Sequence, residues 1–475
     1  MRLSPIIAVA GACALPLPAA AQSYDQLAGN VRELVSVPES VVALTNVRVI
    51  DGTGAAPRDD QTIVIENGRI TAVGPASSTQ APAHARVLAL TGHTVIPGIV
   101  GMHNHTFYTT AFGRSVQLNF SSPRLYLGAG VTTIRTTGSM SPYSELNLRK
   151  SINDGQTPGP RVHVTGPYIS GEGAGGGMYQ VASPEDARRV VAYWADEGVT
   201  WFKFYTLISR DAMKAAIDEA HSRGVKLTGH LCSVGYREAV ALGIDNLEHG
   251  LFANSEYDPN KEPDRCPRST YQTLRELDIG SSAVHTTLDD MVENGVAMTS
   301  TLAVYELSIP NRPPLEQRML DAMSPETRAE YLATRQRYID NPDAAASPEV
   351  LKKAMAYERE FVRRGGLLAA GVDPTGNGGA LPGFGDQRNL ELLVEAGFTP
   401  VEALQIMTLN GAQVLGVDGD LGSIERGKIA DLVVVNGNPA VTPGDIRNVT
   451  HVFKDGVGYD PVKLIESVRG TVGIR

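Results

Sequence analysis

Basic clusters, long apolar runs and cysteines are all scarce in this chain of 475 residues, and each scarcity removes a class of function. Lys and Arg together number 42 against 52 Asp and Glu, a formal net charge of −10, and no local Lys/Arg run reverses the balance. No nucleic acid partner is expected on such a surface. The apolar stretch from Ile6 to Leu17 is too short for a membrane span and is interrupted by Pro16. Between Met1-Arg2 and Ala19-Ala20-Ala21 it reads as the core of a secretory signal peptide, so residues 1–21 are expected to be removed. The mature chain is then periplasmic or secreted, without stable membrane insertion. Cys13 lacks the large aliphatic lead-in of a lipid-attachment cysteine. Only Cys232 and Cys266 remain after cleavage. A disulfide between them is the preferred reading for an exported protein, and a pair of buried free thiols is the rival.

What is present is the composition of a globular protein, 42% hydrophobic and 20% charged. From residue 41 to about 95 the chain runs in short β-rich segments separated by turns, with Asn67-Gly68 as a two-residue hairpin signal. The same texture returns at residues 431–435 and 451–454. One small β-domain assembled from both chain ends is expected, here bounded as 22–97 and 413–475.

Between them, at 98–412, apolar strands alternate with helical segments. Strands are expected at 131–135, 161–165, 200–205, 226–230, 246–249, 297–301 and 367–373, and the run from Val95 to His105 supplies the eighth. Helices start where a cap precedes an early acid, as in Ser183-Pro184 with Asp186 and Thr399-Pro400 with Glu402. Eight such units fit a (β/α)8 TIM barrel. The rival, an open doubly wound sheet, lacks its Gly-x-Gly-x-x-Gly loop after the first strand. The glycine-rich segment 171–177 reads as a flexible rim loop, and the polar stretch 308–365 as an insertion that forms part of a lid or pads the exterior.

Four of the ten histidines, His103, His105, His230 and His249, fall at the C-terminal ends of expected strands, which in a barrel is the catalytic rim. Side chains alternate along a strand, so His103 and His105 leave one face and can converge on one point. Lys203 lies within the aromatic segment Trp201–Tyr205, where an unpaired ammonium is costly to bury, and Asp373 ends the last strand. Each histidine taken singly also reads as a hydrogen-bonded core residue, the reading preferred for His163 and His285.

The order Pro97-Gly98, Gly101-Met-His-Asn-His105, Lys203, Gly229-His230, Glu248-His249-Gly250 and Gly371-Val-Asp373 resembles the amidohydrolase superfamily, in particular its imidazolonepropionase-like and metal-dependent Xaa-Pro dipeptidase-related branch. The tail from Thr408 to Leu432 is similar to that family's return into its β-sandwich domain. Gly101 stands where common forms of the first motif carry an acid, and Arg135-Thr136 where many relatives carry Arg-Asp.

The resemblance implies two Zn2+ or other divalent metal ions. His103 and His105 would hold one with Asp373, His230 and His249 the other, and Lys203, carboxylated on its amine, would bridge them. With the signal peptide, it points to an exported hydrolase that cleaves the amide bond of a dipeptide or N-acyl amino acid. A metal-bridging hydroxide would attack, with Asp373 as general base and acid. Tyr205 shares the strand face of Lys203 and is assigned either to the developing oxyanion or to filling the barrel. Tyr236 and Arg237 are expected either to read a substrate carboxylate or to begin an exposed helix. The alternatives are a cyclic-amide hydrolase of imidazolonepropionase or dihydropyrimidinase type, and a non-catalytic barrel scaffold. Barrels of this kind commonly associate, so a homo-oligomer is left open.

Overall fold

A computed structural model describes residues 21–342 and 345–474. The expected signal peptide, apart from Ala21, and Cys13 lie outside the described residues. Eight parallel strand positions succeed one another in chain order. They are Ile99–Asn104, Val131–Thr136, a third position split into Arg161–His163 and Thr165–Ser170, then Trp201–Phe204, Lys226–Gly229, Asn246–Glu248, Ala297–Ser300 and Leu368–Ala370. The break at Val164 divides the hydrogen-bonded ladder into two sheets, so the third strand pairs with its two neighbours through different halves.

The eighth strand meets the first through single contacts rather than a ladder. Asp373 N–H donates to His103 C=O at 2.8 Å, and Asn104 Oδ1 accepts Val372 N–H at 3.1 Å. This approach requires glycine at 371, where a Cβ would stand 2.1 Å from His103 N. Helices between the strands bury one face each. In Arg210–Ser222, for example, Ala212, Met213, Ala216, Ile217 and Ala220 turn inward, and Ser209 Oγ caps the start by accepting Ala212 N–H.

The run from Val95 to His105, expected as one strand, is two. His93–Pro97 belongs to the β-domain, paired with Leu432–Asn436, and Ile99–Asn104 opens the barrel. Pro97 has no N–H to extend a ladder, and Gly98, where a Cβ would stand 2.0 Å from Thr132 Oγ1, takes the chain across the junction. The β-domain joins nine strands from both chain ends into one hydrogen-bonded network, to which Val35–Val37, ahead of the β-rich texture that begins at residue 41, also contributes. Its edges share one core with Val42, Leu44, Ile63, Ile70, Leu432 and Phe453, so the network folds over as a sandwich. The two-residue turns Asn67-Gly68 and Asp455-Gly456 have positive φ throughout and touch each other.

Among its described residues the stretch 308–365 holds the α-helices Gln317–Ala322, Pro325–Asp340 and Pro348–Arg363. The last is the crossover helix leading into the eighth strand and buries Val350, Leu351, Ala354 and Phe361. The first two share a core with Tyr108, Leu125 and Phe384 and with Val468 and Val472 of the C-terminal tail. Among the described residues no helix is long and apolar enough to cross a membrane.

Candidate metal centre

Strand alternation puts His103 and His105, 0% and 1% exposed, on the barrel-interior side with ring centroids 5.4 Å apart. Asn104 between them faces the other way, and its Nδ2 donates to Asp386 Oδ1 at 3.0 Å. Asp373 follows the eighth strand with φ of 48°. That turn brings its carboxylate back over the first strand, with Oδ1 3.4 Å from His105 Nε2 and Oδ2 3.6 Å from His103 Nε2. Thr375 Oγ1 donates to Asp373 Oδ1 at 2.8 Å and fixes the carboxylate's rotation. Ligand atoms of His103, His105 and Asp373 lie within 4.8 Å of one another, the geometry of a shared cation.

His249 also sits at positive φ, 68°, just past the sixth strand. Its Nδ1 pairs with Thr301 Oγ1 at 2.7 Å, and its buried Nε2 has no hydrogen-bond partner among the described residues. A buried imidazole nitrogen without a partner is costly unless something such as a cation completes it. The His249 ring lies 4.5 Å from those of both His103 and His230, so the four rim histidines form one cluster. Lys203 Nζ reaches 3.1 Å from His103 Nε2.

The electrostatics suit metal ligation. Burial holds all four imidazoles neutral, His230 down to about 3, with the charge of Lys203 adding to the effect. Burial opposes ionisation of Asp373, but His103, His105 and Lys203 outweigh it and keep the carboxylate far below its ordinary range. Burial lowers the Lys203 amine to about 8 against the pull of Asp373 and Glu248. Neutral imidazoles and an ionised carboxylate are the donor forms that a divalent cation needs.

Behind this cluster lies a group that the motif pattern did not single out. Glu248 is wholly buried and accepts from four elements at once: His103 Nδ1 at 2.6 Å, Thr228 Oγ1 at 2.5 Å, Asn246 Nδ2 at 2.9 Å, and Arg135. Arg135 crosses the barrel beneath the site, its guanidinium 4.4 Å from the Trp201 ring. The bond to Glu248 places the His103 proton on Nδ1 and frees Nε2 toward the cluster. The only sequence signal was Glu248 beside His249 in the quoted motif.

Of the two readings offered for Tyr236 and Arg237, the structure has the helix start, with both residues away from the mouth. Tyr236 is 0% exposed, and its one hydroxyl proton is shared between the Gly250 and Glu248 carbonyls at 2.7 and 2.9 Å, bracing the His249 turn from below. Arg237 is about half exposed and bonds Asp290 at 2.6 Å on the outer surface. Both lie on the helix Tyr236–Leu242, which carries the chain away from the mouth soon after His230. His163 is half-buried away from the cluster, and His285, expected as a core residue, is instead a third exposed on the exterior, 3.4 Å from Glu360.

A cavity of about 360 Å3 opens above the cluster. Besides ligand candidates it is lined by Tyr168, Tyr205 and Tyr305, with Met140 and Met178 at the side. Burial and the nearby Asp373 charge push the Tyr205 phenol up to about 12, so it is a proton donor at neutral pH. Its ring lies 4.7 Å from His230. Tyr168 brings its hydroxyl 3.5 Å from His105 Nε2. Cys232 and Cys266, with Cα atoms 4.9 Å apart, are joined as a disulfide between the loops that follow His230 and His249.

A family model described as the amidohydrolase family matches residues 94–465. Among solved structures, a candidate prolidase from Bifidobacterium longum is 27% identical, with a TM-score of 0.65 over 91% of this chain and 100% of that one. A Xaa-Pro dipeptidase with methionine bound in its active site is 23% identical, with a TM-score of 0.67 over 89% of this chain and 100% of that one, a likeness of fold. The imidazolonepropionase of Deinococcus radiodurans is 40% identical over 80 residues, 17% of this chain and 19% of that protein. The 5'-deoxyadenosine deaminase of Methanobrevibacter smithii is 35% identical over 74 residues. The chain thus matches these curated relatives over less than a fifth of their length.

Proposed function

Because the chain belongs to the amidohydrolase family, we propose that it is an exported, metal-dependent hydrolase of carbon–nitrogen bonds that cleaves the amide of a dipeptide or N-acyl amino acid. The observation that carries this reading is the buried convergence of His103, His105 and Asp373 at the mouth of the barrel. The unpartnered Nε2 of His249 supports it. In this reading His230 and His249 complete a second metal position. Lys203 is held as a carbamate: its neutral amine attacks CO2, an N–C bond forms and one proton leaves. The product places anionic oxygens where an ammonium would repel metal. The prolidase and dipeptidase likenesses favour a dipeptide-like substrate over a cyclic amide. The Cys232–Cys266 disulfide supports export, because such bridges persist in oxidising compartments.

When bound, divalent metal supplies a water made nucleophilic at neutral pH and polarises the substrate carbonyl. The chain's own groups do the rest. Asp373, ionised and held by Thr375, accepts the proton of the attacking water and returns it to the leaving nitrogen. Tyr205, which remains protonated, donates to the carbonyl oxygen as charge develops there. Glu248 keeps the His103 ring in its working orientation. Aromatic walls from Tyr168 and Tyr305 limit water around the scissile bond.

The test is a screen of dipeptides and N-acyl amino acids against zinc-loaded protein, with dihydropyrimidine and imidazolone controls and metal analysis alongside. Chelator-sensitive hydrolysis of a linear amide is expected, and Asp373→Asn should abolish turnover while most of the metal stays bound. Substoichiometric metal together with no chelator-sensitive hydrolysis would favour the scaffold instead. Full activity in Asp373→Asn would remove its proton-transfer role. Intact-mass measurement before and after acid treatment should show the loss of one CO2 from Lys203.

A further inference from the structure

A second cavity, of about 610 Å3, lies beside the metal-lined one and is the larger of the two. The two share Met140 and Met178 in their walls, and adjacent glycines of the rim loop line one each, Gly176 the metal cavity and Gly177 its neighbour. Gly177 has φ of 85°, and a Cβ there would stand 2.4 Å from Met140 Cε, so the loop rests on the methionine as only glycine permits. The wall common to both cavities therefore includes two unbranched thioether side chains, the most adaptable of apolar groups. Beyond them the surface is aromatic. Trp194 packs against Tyr143 and Tyr193 with ring centroids 4.8 and 5.2 Å away, and the two tyrosine hydroxyls bond each other. Arg189, the one charged lining residue, is mostly exposed at the cavity's edge and pairs with Asp186, so the charge lies at the rim and the wall behind it is apolar and aromatic.

We propose that this aromatic cavity is the subsite for a bulky apolar or aromatic arm of the substrate, the acyl group or side chain on one flank of the scissile amide. The inference deepens the amide-hydrolase reading and rests on it. Its occupant is a small-molecule arm because the cavity shares its wall with the metal-lined one. An arm seated there extends from a scissile bond held above His103 and His105. The polar wall around the ligands takes the amide, and the Met140–Trp194 side takes the hydrocarbon. Selectivity then rests on apolar area, and an aryl arm is preferred over a methyl by on the order of 10- to 100-fold in kcat/KM.

The test compares two N-acyl amino acids that differ only in the acyl group, acetyl against naphthoyl, on the zinc-loaded protein. The naphthoyl compound is expected to be favoured, and Val190→Phe, which places a ring in the cavity, is expected to reduce the ratio of the two kcat/KM values toward one. A readout independent of hydrolysis is Trp194 fluorescence, since the chain's other tryptophan, Trp201, is 2% exposed beneath Arg135. Naphthoyl amino acid should quench it, and the acetyl compound should not. Quenching without hydrolysis of either compound would keep the subsite and sink the amide reading. Equal kcat/KM values with no quenching would sink the subsite while the amide reading stands. Quenching that tracks protein concentration and dimer formation would assign the surface to a second copy and overturn the proposal. If Val190→Phe fails to fold, the selectivity and quenching of the unmodified protein decide.

Discussion

Two buried carboxyl groups show how neighbours set what a residue can do. Glu248 is satisfied on every side, and its removal as a charge leaves Arg135 buried without a counter-ion. Glu248→Gln should therefore weaken metal binding by about 10- to 100-fold, read by chelator competition, and lower stability by roughly 3–5 kcal/mol. Unchanged metal affinity would mean that the strand alone orients His103. Glu358 is the opposite case: 1% exposed, with one carboxyl oxygen unpartnered, it is pushed by burial from 4.5 to about 8. The unfolded chain releases this proton first, so stability falls as pH rises between those two values and is level above them. Glu358→Gln removes the dependence. Its gain over the unmodified protein should grow by up to about 1.4 kcal/mol per pH unit across the window, visible in denaturant melts at pH 5 and pH 8. A constant difference at the two pH values would show that Glu358 is solvated in solution.

At the scale of elements, strand ends were legible in the sequence because alternation and apolar runs are local signals. The expected ends near Thr136, Glu248 and Ser300 fall within a residue or two of those observed. The four rim histidines, Lys203 and Asp373 arrive at one mouth for that reason. What the sequence hid was non-local. Glu248 draws its partners from the first, second and fifth strands, and Arg237 leaves the mouth because a helix turns it outward. Asn104 was equally hidden, though it joins the first strand to both Val372 and Asp386. Asn104→Ala should loosen the Asp373 turn and cut kcat by about 100-fold, with KM and bound metal changed far less. A matching loss of metal would instead make Asn104 a folding residue. The disulfide, with 34 residues of sequence separation, ties the loops after the fifth and sixth strands. Cys266→Ser should cost roughly 2–4 kcal/mol in equilibrium unfolding, and a loss near zero would mean that the loop is already held by its other bonds, such as Ser255 to Cys232.

For the whole molecule, the β-domain and the barrel are one unit electrostatically as well as covalently. Arg161 on the third strand reaches Asp431 at 2.9 Å and Asp455 at 2.6 Å, both in the chain's return to the sandwich. Residues past Asp460 then leave the sandwich, and Leu464 and Val468 pack on opposite sides of the barrel helix Ser121–Gly128. The wrapping was readable from repeated β-texture at both ends, whereas this tail, a helix of six residues, is too short to show a helical periodicity. The pairing of Pro97 with Leu432 has a modular consequence: the chain leaves the sandwich's ladder for the barrel and rejoins that ladder at neighbouring points, after a segment that gives the sandwich core Ile424 and Ala430. It is a cassette, inserted where an ordinary hairpin would need only a turn. A chain joining Pro97 to Gly416 through a short linker, which keeps Ile424 and Ala430 in the sandwich core, should give a folded, β-rich protein by circular dichroism, and an unfolded product would show that the sandwich borrows its order from the barrel. If the cassette is separable, new chemistry can be brought to this scaffold by exchanging what lies between Pro97 and Gly416.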